Sequence, residues 1–298
     1  MTVSFSEGFK EHYYTSEDGL KLYAREYGAD VSSDALPIVC LPGLTRNSGD
    51  FHLFALKVAH HPTRPRKVFT FDLRGRGKSA WDDHKENYNP VMEAKDVVTG
   101  CQALGIKKAV FIGTSRGGLV MHIIMTFAPD LMAAAVLNDV GPALAREGLE
   151  LIQTYLKVPP AKVTSWDLAV QGAKFVHGTF FTAFNEQDWV DMAHASLVET
   201  PDGLKAPVDP AIAIEIAKAD LSKPLIELWD QFELFKSIPL LTIRGETSLL
   251  LSEEIVEKMK ARNPAMETIV VKGQGHAPFL HMAGLDESIL DLADKAQA

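Results

Sequence analysis

The stretch Gly113-Thr114-Ser115-Arg116-Gly117-Gly118 follows an apolar run at Lys108–Ile112 and precedes a helical pattern over Leu119–Phe127. It has the form G-x-S-x-G between a predicted strand and a predicted helix. A serine at the tip of such a turn needs strained backbone angles and small neighbours, which the glycines supply. The helix N-terminus would stabilise negative charge developing above Ser115. The stretch therefore predicts a serine nucleophile, with an ordinary helix-capping serine as the alternative.

The chain around this turn alternates between β-rich and helical runs. Asp18-Gly19 joins the first two β-rich runs and predicts a hairpin. The six later runs are apolar on both faces, as in the buried strands of a parallel sheet. We therefore predict an α/β fold with a mostly parallel eight-stranded sheet flanked by helices. The β-rich runs are His12–Thr15, Leu20–Tyr27, Pro37–Leu41, Lys67–Phe71, Lys108–Ile112, Ala133–Leu137, Ile238–Ile243 and Thr268–Val271.

One long stretch interrupts this alternation. From about Ala143 to Gln231 no β-rich run is visible, and the pattern indicates helices only. We predict an all-helical insertion at 143–231 between two core strands, with the core formed by 1–142 and 232–298. The insertion would be a second lobe and not an independently folding domain.

Composition excludes several classes of protein. The 298 residues carry a net charge of −9 without a basic run, which disfavours nucleic acid as a partner. No apolar run approaches the roughly 20 residues needed to span a bilayer, and Met1–Lys10 does not resemble a secretory signal. Cys40 and Cys101 lie in apolar segments that predict buried free thiols. We expect a cytoplasmic monomer or homodimer that acts on a small molecule, without membrane attachment.

The best candidate for a catalytic base is His276, within Gly273-Gln274-Gly275-His276-Ala277-Pro278. This glycine-rich loop follows the last predicted strand and can bring an imidazole over the edge of the sheet. The other nine histidines show no companion motif, and no Cys/His spacing indicates a metal site. We therefore expect neither a metal nor a cofactor.

Two loops complete the candidate site. The loop Leu41–Asn47, directly after the first central strand, can aim the backbone N–H of Leu44 at a developing oxyanion. The N–H of Arg116, the residue after the nucleophile, is the second expected donor. The segment Asp72–Ser79 reads DLRGRGKS, and we predict that it is a structural turn and not a reacting group.

The chain resembles the α/β-hydrolase fold superfamily in four segments and in their order along the sequence. These are the loop at Leu41–Asn47, the D-x-R-G-x-G-x-S turn at Asp72–Ser79, the G-x-S-x-G elbow at Gly113–Gly117 and the late Gly275-His276. The likeness covers nearly the whole chain except the helical insertion, which lies where such proteins carry a cap. It is closest to the capped serine hydrolases that include carboxylesterases, enol-lactonases and carbon–carbon bond hydrolases. Dehalogenases and epoxide hydrolases of this superfamily carry a carboxylate at the elbow, so Ser115 argues against both.

The resemblance fails at the acid that should orient the histidine. In relatives this acid usually follows the strand that matches Leu240–Ile243, but Ser248 and Leu249 occupy the expected place here. Asp139, after the preceding core strand, is our first candidate, because some members of the superfamily carry their acid there. Glu246 is the alternative acid, and a chain without an acid is the third possibility. Asp139 could also simply brace its loop ahead of Pro142.

The leading functional prediction is a cofactor-independent serine hydrolase that cleaves a carboxylic ester or lactone. Carbon–carbon bond hydrolysis, a haloperoxidase-like side activity and a non-catalytic ligand-binding role remain alternatives. The Arg116 side chain could meet an acidic substrate group or pair with a nearby acid. Aromatic residues of the insertion predict an apolar pocket; they are Trp166, Phe175, Phe180, Phe181, Phe184 and Trp189.

Overall fold

The computed structural model describes residues 3–32, 34–158 and 162–297. Its main sheet has eight strands in the order β1-β2-β4-β3-β5-β6-β9-β10. The pairs β1–β2 and β2–β4 are antiparallel and the other five are parallel, which confirms the predicted mostly parallel sheet. The strands are β1 (Lys10–Thr15), β2 (Lys21–Tyr27), β3 (Ile38–Leu41), β4 (Val68–Asp72), β5 (Ala109–Thr114), β6 (Met132–Asn138), β9 (Leu240–Gly245) and β10 (Glu267–Val271).

Helices cover both faces of this sheet, which explains why the central strands are apolar on both sides. In β3, Val39 and Leu41 pack into the core that α2, α3 and α9 cover, whereas Ile38 and Cys40 pack into the opposite core under α1 and α10. Cys40 and Cys101 therefore lie on opposite faces of the sheet as buried free thiols. The helices are α1 (His52–Ala59), α2 (Pro90–Ala103), α3 (Arg116–Phe127), α9 (Glu253–Arg262) and α10 (Leu285–Lys295).

The segment between β6 and β9 is not all-helical, so that expectation was wrong. It contains a two-stranded antiparallel hairpin, with a turn at Pro201-Asp202. Strands of three residues are too short for an alternating pattern to reveal them. The elements are α4 (Arg146–Lys157), α5 (Trp166–His177), α6 (Glu186–Ser196), β7 (Val198–Thr200), β8 (Gly203–Lys205), α7 (Pro210–Lys218) and α8 (Trp229–Glu233).

The two ends of this insertion lie side by side. The N–H of Leu228 donates to the carbonyl of Pro142 at 2.6 Å. Phe232, on α8, belongs to the main core beside α3. The insertion therefore leaves and re-enters the core at one place, above the carboxyl ends of the strands. Among the described residues, no helix combines the length and the apolar character needed to cross a bilayer.

Candidate active site

Ser115 lies at a sharp turn between β5 and α3. Its backbone is strained, with φ 50° and ψ −113°, and its N–H donates to the carbonyl of Asn138 at 3.1 Å. Gly117 is required by the close crossing of two chain segments, because a Cβ there would lie 2.1 Å from the carbonyl oxygen of Leu41. The geometry raises the serine above the end of the sheet, at the N-terminus of α3.

Three predicted residues form one chain of hydrogen bonds. The hydroxyl of Ser115 lies 2.9 Å from Nε2 of His276, and Nδ1 of His276 lies 2.7 Å from Oδ2 of Asp139. Because an ionised carboxylate can only accept, Nδ1 carries the proton and Nε2 accepts from Ser115. The three side chains follow β5, β6 and β10, whose carboxyl ends meet at one edge of the sheet.

The carboxylate of Asp139 is fully buried and accepts three hydrogen bonds. Besides His276, Oδ1 accepts from the N–H of Gly245 at 2.8 Å, and Oδ2 accepts from the hydroxyl of Ser248 at 2.5 Å. Ser248, which stands where relatives were expected to carry their acid, thus contacts a carboxylate that follows the neighbouring strand. The carboxylate of Glu246 lies elsewhere and accepts from the N–H of Gly273 at 2.8 Å.

Both predicted oxyanion donors line the same cavity as Ser115. Leu44 lies in a tight turn, closed by the N–H of Arg46 on the carbonyl of Gly43 at 3.2 Å. Arg116 is the first residue of α3, so its N–H has no carbonyl within the helix to bond to. Both N–H groups thus belong to residues in the wall of the cavity that contains Ser115.

The side chain of Arg116 pairs with a nearby acid. Its Nε donates to Oε2 of Glu93 at 2.6 Å, and a terminal nitrogen donates to the carbonyl of Tyr88 at 3.1 Å. Glu93 is completely buried on α2. Of the two roles considered from the sequence, the structure shows the internal ion pair.

The segment Asp72–Ser79 is a turn that stabilises the loop beside it through hydrogen bonds. Asp72 accepts from the N–H groups of Ser48 and Lys78 at 2.6 and 2.7 Å, so it ties this turn to the loop that carries Leu44. Burial raises the pKa of this carboxyl. The fully buried Arg74 forms ion pairs with Asp96 and Asp82.

Sequence reasoning missed two polar residues that hold the site together. Asn138, at the end of β6, donates to the carbonyl of Pro278 at 3.0 Å and so anchors the loop that carries His276. Thr247 donates to the carbonyl of Phe180 at 2.7 Å, which joins the β9 loop to the insertion. Asn138 is the last residue of its strand and Thr247 lies in a loop, and no periodic pattern marks either side chain.

A cavity of about 480 Å³ opens beside Ser115 and His276. Phe180 and Phe181 line it, as predicted, but the other four aromatic residues that we predicted for the pocket do not. Phe175 is 92% exposed, Trp166 stacks on His194, and Phe184 and Trp189 pack behind Phe181. The other apolar lining residues of the insertion include Leu149, Leu151, Ile152, Leu156, Val176, Met192 and Ile216.

Two polar rings interrupt this apolar wall. Tyr155 and His177 both line the cavity, with their rings 6.1 Å apart. Burial and the neighbouring Arg46 lower the pKa of His177 to about 4, so its imidazole is neutral at pH 7. A neutral imidazole offers one donor and one acceptor to a ligand.

One group among the described residues has the geometry to hold a metal ion. Single ligand atoms of Asp188, Asp191 and His281 lie within 4.8 Å of one another, all at half-buried positions. This group is not in the wall of the cavity that contains Ser115. Acidic groups at the surface commonly adopt such arrangements without a metal.

Comparison with known proteins agrees with this geometry. The family described as alpha/beta hydrolase fold matches residues 37–281. The chain belongs to this family. It is 31% identical over 248 residues to a 3-hydroxybutyrate-oligomer hydrolase of Cupriavidus necator, an alignment that covers 81% of this chain and 82% of that protein. The chain is a hydrolase of this fold.

Two further relatives extend the comparison. A bifunctional esterase/perhydrolase of Acinetobacter calcoaceticus is 31% identical over 138 residues, 44% of this chain and 45% of that protein. The crystal structure of an alpha/beta hydrolase from Novosphingobium aromaticivorans is 33% identical, with a TM-score of 0.85 over 97% of this chain and 99% of that one. The match along nearly the full length includes the insertion as well as the sheet.

Proposed function

We propose that this hydrolase cleaves carboxylic esters through an acyl-enzyme on Ser115, with His276 as the base and Asp139 as the acid. The observation that carries the proposal is the hydrogen-bonded chain from Ser115 through His276 to a buried carboxylate, at the mouth of an apolar cavity. A lactone, as a cyclic ester, fits the same chemistry.

The reaction begins when Nε2 of His276 takes the proton of Ser115 as its Oγ attacks the ester carbonyl. The carbonyl oxygen becomes an oxyanion, which the N–H groups of Leu44 and Arg116 stabilise. The C–O bond then breaks, and His276 returns the proton to the departing alcohol. Water, deprotonated by His276, attacks the acyl-enzyme in the same way and releases the carboxylic acid and Ser115.

Asp139 makes the first step possible by fixing the tautomer of His276. Its carboxylate holds the proton on Nδ1 and stabilises the imidazolium that forms. The N–H of Gly245 and the hydroxyl of Ser248 hold that carboxylate in place. The absence of an aspartate at Ser248 or Leu249 therefore does not favour a non-catalytic binding protein.

The substrate class that we propose is aliphatic esters, including short oligoesters of hydroxy acids. The cavity wall is mostly aliphatic, and its volume of about 480 Å³ accommodates a chain of several carbons. Tyr155 and His177 can hydrogen-bond a second ester or hydroxyl group away from the reacting one. The relative in Cupriavidus necator, named for hydrolysis of 3-hydroxybutyrate oligomers, supports this choice.

The two buried free thiols support a reducing compartment such as the cytoplasm.

The decisive experiment is active-site labelling. A fluorophosphonate probe should modify Ser115 of the folded protein, with the adduct located by mass spectrometry of the peptide. The variant Ser115→Ala is the matched control and should remain unlabelled. A hydrolysis screen with p-nitrophenyl esters of two to twelve carbons and with oligomers of 3-hydroxybutyrate then defines the substrate. Folded wild-type protein that neither reacts with the probe nor hydrolyses any ester would refute the proposal.

A further inference from the structure

A buried cluster of three charged side chains contacts the loop Leu41–Asn47, which carries Leu44 and is called the oxyanion loop below. Arg76, from the turn after β4, donates through Nη1 to Oε1 of Glu93 at 2.8 Å. The other oxygen of Glu93 accepts from Nε of Arg116 at 2.6 Å. The side chains of Arg76 and Glu93 are completely buried, and that of Arg116 is 11% exposed.

The guanidinium of Arg76 also contacts the backbone of the oxyanion loop. Its Nε donates to the carbonyl oxygen of Leu44 at 2.8 Å. Its Nη1 donates in addition to the carbonyl of Arg74 at 2.7 Å, within its own turn. The planar fork of the guanidinium is therefore held by three acceptors, which leaves it little freedom to rotate.

The cluster thus connects Leu44 and Arg116, the two residues whose N–H groups are the proposed oxyanion donors. At one end Arg76 holds Leu44 by its carbonyl, and at the other end Glu93 holds Arg116 by its side chain. The peptide plane that contains the Leu44 carbonyl and the plane that contains its N–H share one Cα. Fixing the first plane restricts the direction of the second.

We propose that Arg76 is a positioning residue, which through Leu44 and Glu93 aligns the two backbone donors of the oxyanion hole. This inference rests on the proposed function, because it assigns a role in the same reaction. Arg76 touches neither the substrate nor Ser115. Two guanidinium groups share one carboxylate, so the cluster also keeps a net positive charge beside the site where the oxyanion forms.

The test is the variant Arg76→Met, which removes the bond to Leu44 and leaves Glu93 paired with Arg116. Loss of a single oxyanion donor typically lowers kcat by about 10²- to 10³-fold, and a misdirected donor should cost less. We expect kcat for a p-nitrophenyl ester to fall about 10- to 100-fold while KM changes by less than about 3-fold. The matched control is Ser79→Ala, since Ser79 is buried in the same turn and bonds to Asp72 and Tyr23 but not to the oxyanion loop.

A readout specific to the oxyanion separates positioning from a general structural effect. An aliphatic trifluoromethyl ketone forms a hemiketal with Ser115, and its ionised oxygen occupies the place of the oxyanion. In Arg76→Met the affinity for this ketone should fall in parallel with kcat, whereas the affinity for the matching methyl ketone should not change. Carbon-13 NMR of the labelled hemiketal should show its pKa rising by one unit for each tenfold loss of oxyanion stabilisation.

Arg76→Lys keeps the charge and is the second variant, used if Arg76→Met does not fold. A lysine Nζ cannot hold Leu44 and Glu93 in the same fork, so kcat and the hemiketal pKa should move in the same directions by a smaller amount. The inference is overturned if neither quantity changes more than in Ser79→Ala, or if the affinities for both ketones fall together. A wild-type protein that forms no hemiketal overturns the proposed function itself, and the two failures are thereby distinguished.

Discussion

The replacement Asp139→Asn tests the assignment of the acid most sharply, because the surroundings of this side chain determine how an amide must orient. Oδ1 of Asp139 accepts from the backbone N–H of Gly245, a donor that cannot rotate or reverse. An asparagine must therefore keep its carbonyl oxygen towards Gly245. Its amide nitrogen then occupies the position of Oδ2, facing Nδ1 of His276 and the hydroxyl of Ser248.

This orientation reverses the polarity of the bond to His276. The hydroxyl of Ser248 can turn to accept from the amide, but the imidazole can accept only by moving its proton from Nδ1 to Nε2. A protonated Nε2 cannot take the proton of Ser115. The wrong tautomer costs about 10⁴ in kcat in triads of this kind, equivalent to about 5 kcal/mol of transition-state stabilisation.

We expect kcat/KM of Asp139→Asn for p-nitrophenyl butyrate to fall by about 10³- to 10⁴-fold, with KM nearly unchanged. The control is Glu246→Gln. The carboxylate of Glu246 accepts from the N–H of Gly273 on the exposed side of the loop, so kcat/KM of this variant should stay within about 3-fold of wild type. Thermal unfolding of both variants checks that the fold is intact. A folded Asp139→Asn that keeps more than a tenth of the activity, or an equal loss in Glu246→Gln, would refute this assignment.

Three further results are expected. Ser248→Ala removes one of the three hydrogen bonds to Asp139. Because a hydrogen bond to a charged group contributes about 1.5–3 kcal/mol, kcat should fall about 10-fold, and unchanged steady-state kinetics would contradict this. Ile152→Trp narrows the cavity, so kcat/KM for a p-nitrophenyl octanoate should fall at least about 10-fold relative to acetate, and an equal loss for both esters would show that Ile152 does not limit chain length. His122 is fully buried against Phe235, and burial lowers its pKa to about 4. Because the unfolded chain takes up this proton first, the free energy of unfolding should decline as pH falls from about 6.5 towards 4, by about 2 kcal/mol at pH 5; urea unfolding of His122→Leu should show a weaker dependence, and an unaltered one would contradict the assignment.

The sheet, the elbow and the loop of His276 could be predicted because each depends on neighbouring residues. Runs such as Lys108–Ile112 are apolar on both faces, and the glycines around Ser115 follow from local steric demand. The identity of the acid could not be decided in this way. Asp139 reaches His276 only because β6 pairs with β9, which brings Gly245 and Ser248 onto its carboxylate across more than 100 residues of sequence.

Contacts of this long-range kind account for most of what the sequence did not reveal. Arg76 and Leu44 are 32 residues apart, and Arg76 and Glu93 are 17 apart, with no repeating pattern between them. The hairpin β7–β8 was missed for a different reason, since its strands have only three residues each. The sequence also suggested that six aromatic residues form the pocket, but single positions such as Phe175 depend on how α5 is rotated.

In the proposed triad the acid, Asp139, directly follows β6, whereas the resemblance places it after the strand that matches β9. Ser115 follows β5 and Asp139 follows β6, and these two strands are paired. The pairing of the sheet therefore sets the spacing of the two residues. The β9 loop contributes only the groups that hold the carboxylate of Asp139, a peptide N–H and a serine hydroxyl. A search for an aspartate in that loop would find none in this chain, although the carboxylate of Asp139 lies 2.7 Å from Nδ1 of His276. Members of the family that lack an aspartate in this loop should therefore be searched for one directly after the preceding strand. A serine at the position of Ser248 would be the accompanying sign.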